Sequence, residues 1–159
     1  EEKTMGLEIE RKFLIKKSPD NLSEYTCHMM TQGYLNTSPV VREQKEDSSY
    51  YLTYKGSGLL AREEYNLALD EAAFYHLLEK ADGNVISKKR YKIPYSFENK
   101  TYTIELDIFD APFAPLIIAE VEFENEEDAN SFIPPNWFDK DVTFDSQYHN
   151  SNLSKKQFD

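Results

Sequence analysis

The sequence contains very little cysteine and glycine. Its 159 residues include one Cys and five Gly, and no apolar stretch is long enough to span a bilayer. Cys27 cannot form an intramolecular disulfide and has no Cys or His around it at metal-binding spacing, so we expect a buried or inert thiol. No signal-peptide pattern opens the chain. Together these absences predict a cytoplasmic protein with no membrane partner.

Positive charge is also scarce. Lys and Arg number 18 against 29 Asp and Glu, which gives a net charge of −11. This acidic excess opposes non-specific binding to nucleic acid, so we expect no nucleic-acid partner, although a local cationic cavity remains compatible with it. The length fits one domain, which we expect to span residues 5–159. Residues 1–4 precede Met5, and we expect them to be an artificial extension.

Alternation of apolar and polar residues, typical of β-strands, recurs along the chain. It predicts eight strands, at 7–15, 32–36, 39–46, 50–56, 61–69, 85–93, 100–109 and 116–124. Helical spacing predicts a helix from 71 to about 81, a short one at 126–132 and a brief one at 18–26. The fold class is therefore mainly β (α+β). Eight strands in one small domain favour a closed antiparallel β-barrel, because closure removes exposed edges.

Charged residues occupy the same face of strand after strand. The set comprises Glu8, Glu10, Lys12, Arg42, Lys55, Arg62, Glu64, Lys88, Arg90, Glu105, Asp107, Glu120 and Glu122. One such strand would simply face solvent, but the recurrence favours a shared interior. Two carboxylates about 6 Å apart, as in Glu120-Val121-Glu122, repel by roughly 3 kcal/mol at an effective dielectric of about 20. Such a cluster needs protons or cations, and Mg²⁺ or Mn²⁺ prefers these hard oxygen ligands.

The spacing Glu-x-Glu-x-Lys at residues 8–12 resembles the signature of the CYTH superfamily, the triphosphate tunnel metalloenzymes. Further motifs follow in family order, covering residues 7 to about 153. They are Gln32-Gly33-Tyr34-Leu35, Pro39-Val40-Val41-Arg42, Tyr51-Leu52-Thr53-Tyr54-Lys55-Gly56, Ala61-Arg62-Glu63-Glu64-Tyr65, Lys88-Lys89-Arg90-Tyr91, Glu105-Leu106-Asp107-Ile108-Phe109, Ala119-Glu120-Val121-Glu122-Phe123 and the segment 145–150.

The resemblance implies a closed eight-stranded antiparallel barrel that forms a tunnel, with a few peripheral helices. It implies Mg²⁺ or Mn²⁺ as cofactor, bound by Glu8, Glu10, Glu120, Glu122 and Asp145. It also implies that phosphates are bound by Lys12, Arg42, Lys55, Arg62, Lys88 and Arg90. Lys88 matches a lysine proposed to help activate the attacking water, and Glu64 could orient a basic neighbour or an ordered water. A homodimer is compatible with the family.

The short bacterial members that this chain most resembles are inorganic triphosphatases, which cleave tripolyphosphate to pyrophosphate and phosphate. One position and one segment depart from the family pattern: Gln44 replaces a second basic residue, and Gln147-Tyr148-His149-Asn150 replaces a basic-rich segment. Three alternatives stay open. They are hydrolysis of an organic triphosphate such as thiamine triphosphate or a nucleotide, adenylate cyclisation, and non-catalytic binding of polyphosphate or a nucleotide, which Gln44 favours most.

Overall fold

The computed structural model describes residues 5–158; residues 1–4, interpreted above as an artificial extension, and residue 159 lie outside the described residues. The strands are β1 (Met5–Ile15), β2 (Thr26–Thr37), β3 (Val40–Glu46), β4 (Ser49–Lys55), β5 (Ala61–Leu69), β6 (Asp82–Phe97), β7 (Lys100–Phe109), β8 (Ile117–Phe123) and β9 (Phe138–Asp141). The helices are α1 (Glu71–Leu78), α2 (Glu126–Ser131) and α3 (Asn150–Leu153), with 3₁₀ turns at Leu22–Glu24 and Ser146–Tyr148. None of the described helices has the length and apolar character needed to cross a membrane.

Eight of these strands close into a barrel. Their order is β5-β4-β3-β2-β6-β7-β8-β1, and β1 also pairs with β5, so the sheet returns to its starting strand. Every pairing is antiparallel. The short β9 adds to the end of β1, where Phe13 lies opposite Asp141. The predicted closed eight-stranded antiparallel barrel with a few helices is thereby confirmed.

The main apolar core covers the outside of one half of the barrel. Outward residues of β1, β6, β7 and β8, such as Phe13, Ile104 and Val121, are almost fully buried there. Phe132, just after α2, packs against Phe13, Phe97, Tyr102 and Phe123 with ring centroids 5.2 to 6.5 Å apart. This layer holds the charged inner faces of the same four strands in place.

A second apolar cluster fills one end of the barrel interior. Tyr34, Ile86, Phe109 and Ile118 lie on the inward parity of their strands and are buried together. Leu153 of α3 packs against them. The interior is therefore apolar at the α3 end, which leaves the charged residues to line the remainder.

Several local predictions were wrong. The brief helix expected at 18–26 is only the 3₁₀ turn at Leu22–Glu24, and the following residues extend β2. Strand β6 starts before and ends after the predicted range 85–93, and β9 was not predicted. Cys27 is a free thiol and is exposed, so the expectation of burial fails. It is exposed because it lies near the start of β2, away from both apolar clusters.

Candidate functional site

The charged side chains of the barrel line one internal cavity, here called the lumen. Its volume is about 310 Å³. Carboxylates on its wall are Glu8, Glu10, Glu46, Glu64, Glu105, Glu120 and Glu122, and cations on its wall are Lys12, Arg42, Lys55, Arg62 and Arg90. The period-two alternation of seven strands thus points acids and bases into the same space, as the sequence predicts for all of these residues except Glu46.

Carboxylates face one another across neighbouring strands of the lumen. Glu10 on β1 lies opposite Glu122 on β8, and Glu105 on β7 lies opposite Glu120 on β8. Like charges in directly opposed positions of a sheet destabilise it. Burial, followed by the charges of Glu120 and Glu8, raises the pKa of Glu10 well above its ordinary value. Burial and these neighbouring charges therefore favour the protonated form of Glu10 in the protein alone.

Glu8 has a different environment, because a lysine contacts it. Lys55 Nζ lies 2.9 Å from Glu8 Oε1. Burial favours the protonated form of Glu8, but the charge of Lys55 and hydrogen bonds with Glu64 and Lys55 outweigh it and lower the pKa of Glu8 to about 2. Burial and then the charge of Glu8 raise the pKa of Glu64, which also accepts a hydrogen bond of 3.0 Å from Asn66 Nδ2. Adjacent carboxylates are thus driven towards opposite protonation states.

Arg90 organises the opposite wall. It donates from Nε and Nη2 to the two oxygens of Asp107 at 2.7 and 2.8 Å, and it contacts Glu105 and Glu120 at 3.2 Å each. Asp107 also pairs with Lys88 at 2.7 Å. Burial, which outweighs the charge of Asp107, lowers the pKa of Lys88. Lys88 has almost no solvent exposure and lies against the ring of Phe109, so it stands behind the lumen wall rather than on it.

Three cations of the lumen are less committed to carboxylates. Arg42 Nη1 donates to the Tyr34 hydroxyl at 3.3 Å, while its buried Nε has no hydrogen-bond partner among the described residues. Among the described residues, the one hydrogen-bond partner of Lys12 Nζ is the Tyr148 carbonyl, at 3.5 Å. Arg62 Nε is 3.9 Å from Glu8 Oε1, too far for a hydrogen bond. These side chains can accept an anionic ligand without first breaking a close ion pair.

A chain of amides crosses the interior of the barrel. Asn150 Nδ2 donates to Gln32 Oε1 at 3.3 Å, and Gln32 Nε2 donates to Gln44 Oε1 at 2.7 Å. Gln32 is buried, whereas Gln44 and Asn150 line the lumen. Of these three, Gln44 departs from the family pattern, and the sequence did not predict Gln32 as its partner. Its inward parity with Tyr34 on β2 was the available signal.

Asp145 does not join the other predicted metal ligands. Its carboxylate accepts hydrogen bonds from Gln147 N at 3.2 Å and Gln147 Nε2 at 3.0 Å, and it caps the 3₁₀ turn instead of lining the lumen. The other four, Glu8, Glu10, Glu120 and Glu122, do share the lumen. Within residues 5–158 no three Asp, Glu, His or Cys side chains converge as a ready-made metal cluster. Even so, these four supply carboxylate oxygens of the kind that a hard divalent cation prefers as ligands.

A closed antiparallel barrel whose interior carries opposed carboxylates beside uncommitted cations defines the class of this protein. The chain belongs to the CYTH domain family, which matches residues 6–156. This confirms the resemblance seen in the sequence.

Two relatives of this chain carry a specific functional name. The chain is 38% identical over 152 residues to an inorganic triphosphatase of Nitrosomonas europaea, which covers 92% of this chain and 96% of the relative. It is 31% identical over 157 residues to an inorganic triphosphatase of Acetivibrio thermocellus, with 97% of each chain covered. The crystal structure of the inorganic triphosphatase NE1496 is similar at a TM-score of 0.70 and 34% identity, covering 98% of this chain and 99% of that chain.

Proposed function

We propose that this protein hydrolyses inorganic tripolyphosphate to pyrophosphate and phosphate, and that it needs a divalent cation to do so. The observation that carries the proposal is the lumen wall, where cations with few close partners stand beside opposed carboxylates. A polyphosphate offers negative oxygens to the first group, and a divalent cation offers positive charge to the second. The naming of two relatives as inorganic triphosphatases supports the choice of substrate.

The lumen cations would bind and orient the chain of phosphates. Lys12, Arg42 and Arg62 are the best placed for this, because no carboxylate holds them at hydrogen-bond distance. The Arg90 guanidinium is held along one edge by both oxygens of Asp107, so its position would not have to be set during the reaction. Fixed positive charge around a transferring phosphoryl group stabilises the transition state.

Glu64 would activate the attacking water by taking up its proton. This side chain lines the lumen, and burial followed by the charge of Glu8 raises its pKa, so it takes up a proton more readily than an ordinary carboxylate. The predicted role of Lys88 in activating water requires contact with the lumen, whereas its ammonium lies behind Asp107. For Lys88 we therefore propose a positioning role, in which it holds Asp107 and through it Arg90.

The metal would be held by Glu8, Glu10, Glu120 and Glu122, and Mg²⁺ and Mn²⁺ are the candidate ions. When bound, it would neutralise charge on the phosphate oxygens and so favour attack by water. Asp145 is left out of this set because its carboxylate is committed to the turn at Ser146–Tyr148.

The test is a phosphate-release assay on the purified protein. Tripolyphosphate, ATP and thiamine triphosphate would each be supplied with Mg²⁺, Mn²⁺ or EDTA. We expect release to be fastest from tripolyphosphate, to stop in EDTA, and to fall strongly in Glu122→Gln. The matched control is Glu127→Gln, which removes one negative charge from an exposed position on α2, outside the barrel.

Each part of the assay tests one alternative function. Faster release from ATP or thiamine triphosphate would replace the inorganic substrate with an organic one. Full activity in EDTA would refute the metal requirement. Binding of tripolyphosphate, seen as a raised melting temperature, without release from any substrate would refute hydrolysis and leave a non-catalytic binding protein.

A further inference from the structure

A second cavity lies at the α3 end of the barrel, directly behind the lumen. It is a groove of about 490 Å³ between the β2–β3 turn, the loop that follows β4 and the C-terminal segment. Val40, Arg62 and Ser151 line both the groove and the lumen, so one layer of side chains separates the two spaces. We call it the rear groove.

The rear groove differs from the lumen in charge. Seven carboxylates line the lumen, whereas no carboxylate is among the described residues that line the rear groove. In a chain with a net charge of −11, such a surface stands out. Its polar lining consists mainly of hydroxyl and amide groups, including Ser57, Ser146 and Asn152. Hydroxyl and amide N–H groups can donate hydrogen bonds to an anion, although Asn152 Nδ2 already donates to the Ser146 carbonyl at 2.7 Å.

Arg62 is the charged residue that the rear groove shares with the lumen. Its contact with Glu8 is long, at 3.9 Å, and its side chain is 17% exposed. A guanidinium has five N–H donors in a planar fork, so one Arg62 can serve ligands on two sides. His149 also lines the groove, and its Nε2 lies 3.0 Å from the Thr143 carbonyl. Burial, followed by the charge of Lys12, lowers the pKa of His149 and so favours its neutral form.

We propose that the rear groove is a second anion subsite, which binds an inorganic phosphate-class anion behind Arg62. This inference rests on the proposed function, because hydrolysis in the lumen would supply the two candidate anions, phosphate and pyrophosphate. An anion in the groove would contact Arg62 from the side opposite the lumen and would gain hydroxyl donors from the loop that follows β4 and from the C-terminal segment.

The test is a binding titration of the full chain in EDTA, so that turnover does not interfere. Orthophosphate and pyrophosphate are titrated separately by calorimetry, and backbone amide signals of residues 56–58 are followed by NMR. We expect two classes of site in the wild type for at least one of the two anions. Ser57→Asp places a carboxylate in the groove and should weaken one class about fivefold or more, since it repels the anion at short range.

Two further variants make the result specific. Ser49→Asp adds the same charge at an exposed position on β4 outside the groove, and it should leave both classes unchanged. Arg42→Gln alters the lumen alone, so it should weaken the other class. The proposal is overturned by a single class of site for both anions, or by equal effects of Ser57→Asp and Ser49→Asp. Neither of these binding results depends on hydrolysis, so a lack of enzymatic activity would not refute the proposed subsite.

Discussion

Glu43 is a buried carboxyl group on the outward face of β3, far from any chemistry proposed above. It has no solvent exposure, and neither of its oxygens has a hydrogen-bond partner among the described residues. A Cβ placed at Gly33 would clash with Glu43 Oε1 and would lie 2.8 Å from Leu78 Cδ1. The carboxyl is therefore enclosed between β2 and α1. We predict that Glu43→Gln stabilises the protein, and that it does so only at neutral and alkaline pH.

The sign follows from the direction of the pKa change. Burial raises the pKa of Glu43 from 4.5 to about 7 in the folded protein. Between these values the folded state holds a proton that the unfolded state has released, so Glu43 makes stability fall as pH rises from about 4.5 to about 7. Each pH unit across that window corresponds to about 1.4 kcal/mol, which gives a cost of about 3 kcal/mol above pH 7. Glutamine, which stays neutral, avoids that cost.

The assay is urea and thermal denaturation of wild type and Glu43→Gln at pH 4.5 and pH 8. We expect similar stabilities at pH 4.5, and at pH 8 a gain of about 3 kcal/mol, or roughly 6 to 12 °C in melting temperature. Glu63→Gln, at an exposed position of β5, is the matched control and should change stability by less than about 0.5 kcal/mol at either pH. An unchanged or lower stability of Glu43→Gln at pH 8 would refute the reasoning.

Three further predictions concern the lumen. Asp107→Asn removes the carboxylate shared by Lys88 and Arg90, and it should destabilise the protein by about 3 to 5 kcal/mol in urea denaturation, since two buried cations lose their partner. Arg42→Gln should raise the KM for tripolyphosphate about 10- to 100-fold in steady-state kinetics, because a charge-assisted contact is lost. Gln44→Arg should lower that KM about tenfold, because it adds a cation to the lumen wall.

Each of these has a result that would contradict it. A loss below about 1 kcal/mol in Asp107→Asn would mean that the buried cations find other partners. Lys45→Gln removes a cation from the outward face of β3, where it contacts Tyr75, and should leave KM unchanged. If it raised KM as much as Arg42→Gln, general charge rather than lumen contact would be responsible. An unchanged KM in Gln44→Arg would show that position 44 does not meet the substrate.

The barrel could be predicted because its inner and outer faces alternate with period two. The ends of the strands could not be predicted, because they depend on pairing with strands that are distant in the chain. The segment after Ser18-Pro19 suggested a brief helix, yet Thr26 to Gln32 pair with residues 86–92 of β6. Strand β6 was predicted to end at residue 93, yet it continues through Pro94 to Phe97. Beyond Lys92 that strand pairs with β7 alone, and a proline that need not donate is tolerated there.

The shared parity of Glu8, Glu10, Glu120 and Glu122 was enough to predict that they meet in one space. The partners of each side chain were beyond the sequence. Gln32 and Asn150 are 118 residues apart, and nothing local links them. Asp145 matched a family position, but the turn that it caps directs its carboxylate away from the lumen. Which face of a strand a charged residue occupies follows from its own strand, whereas its partners, and for Lys88 its distance from the lumen, follow from the whole fold.

Closure of the barrel through β1 has a consequence for how the chain folds during synthesis. β1 leaves the ribosome before both of its barrel partners, β5 and β8. The ring therefore cannot close until residue 123 has emerged, and β9 follows at 138–141. Until then at least one edge of β1 is unpaired, and an unpaired strand edge is prone to aggregation. Its alternating charges, Glu8, Glu10 and Lys12, oppose such pairing, so the residues proposed to serve the enzyme would also protect the nascent chain.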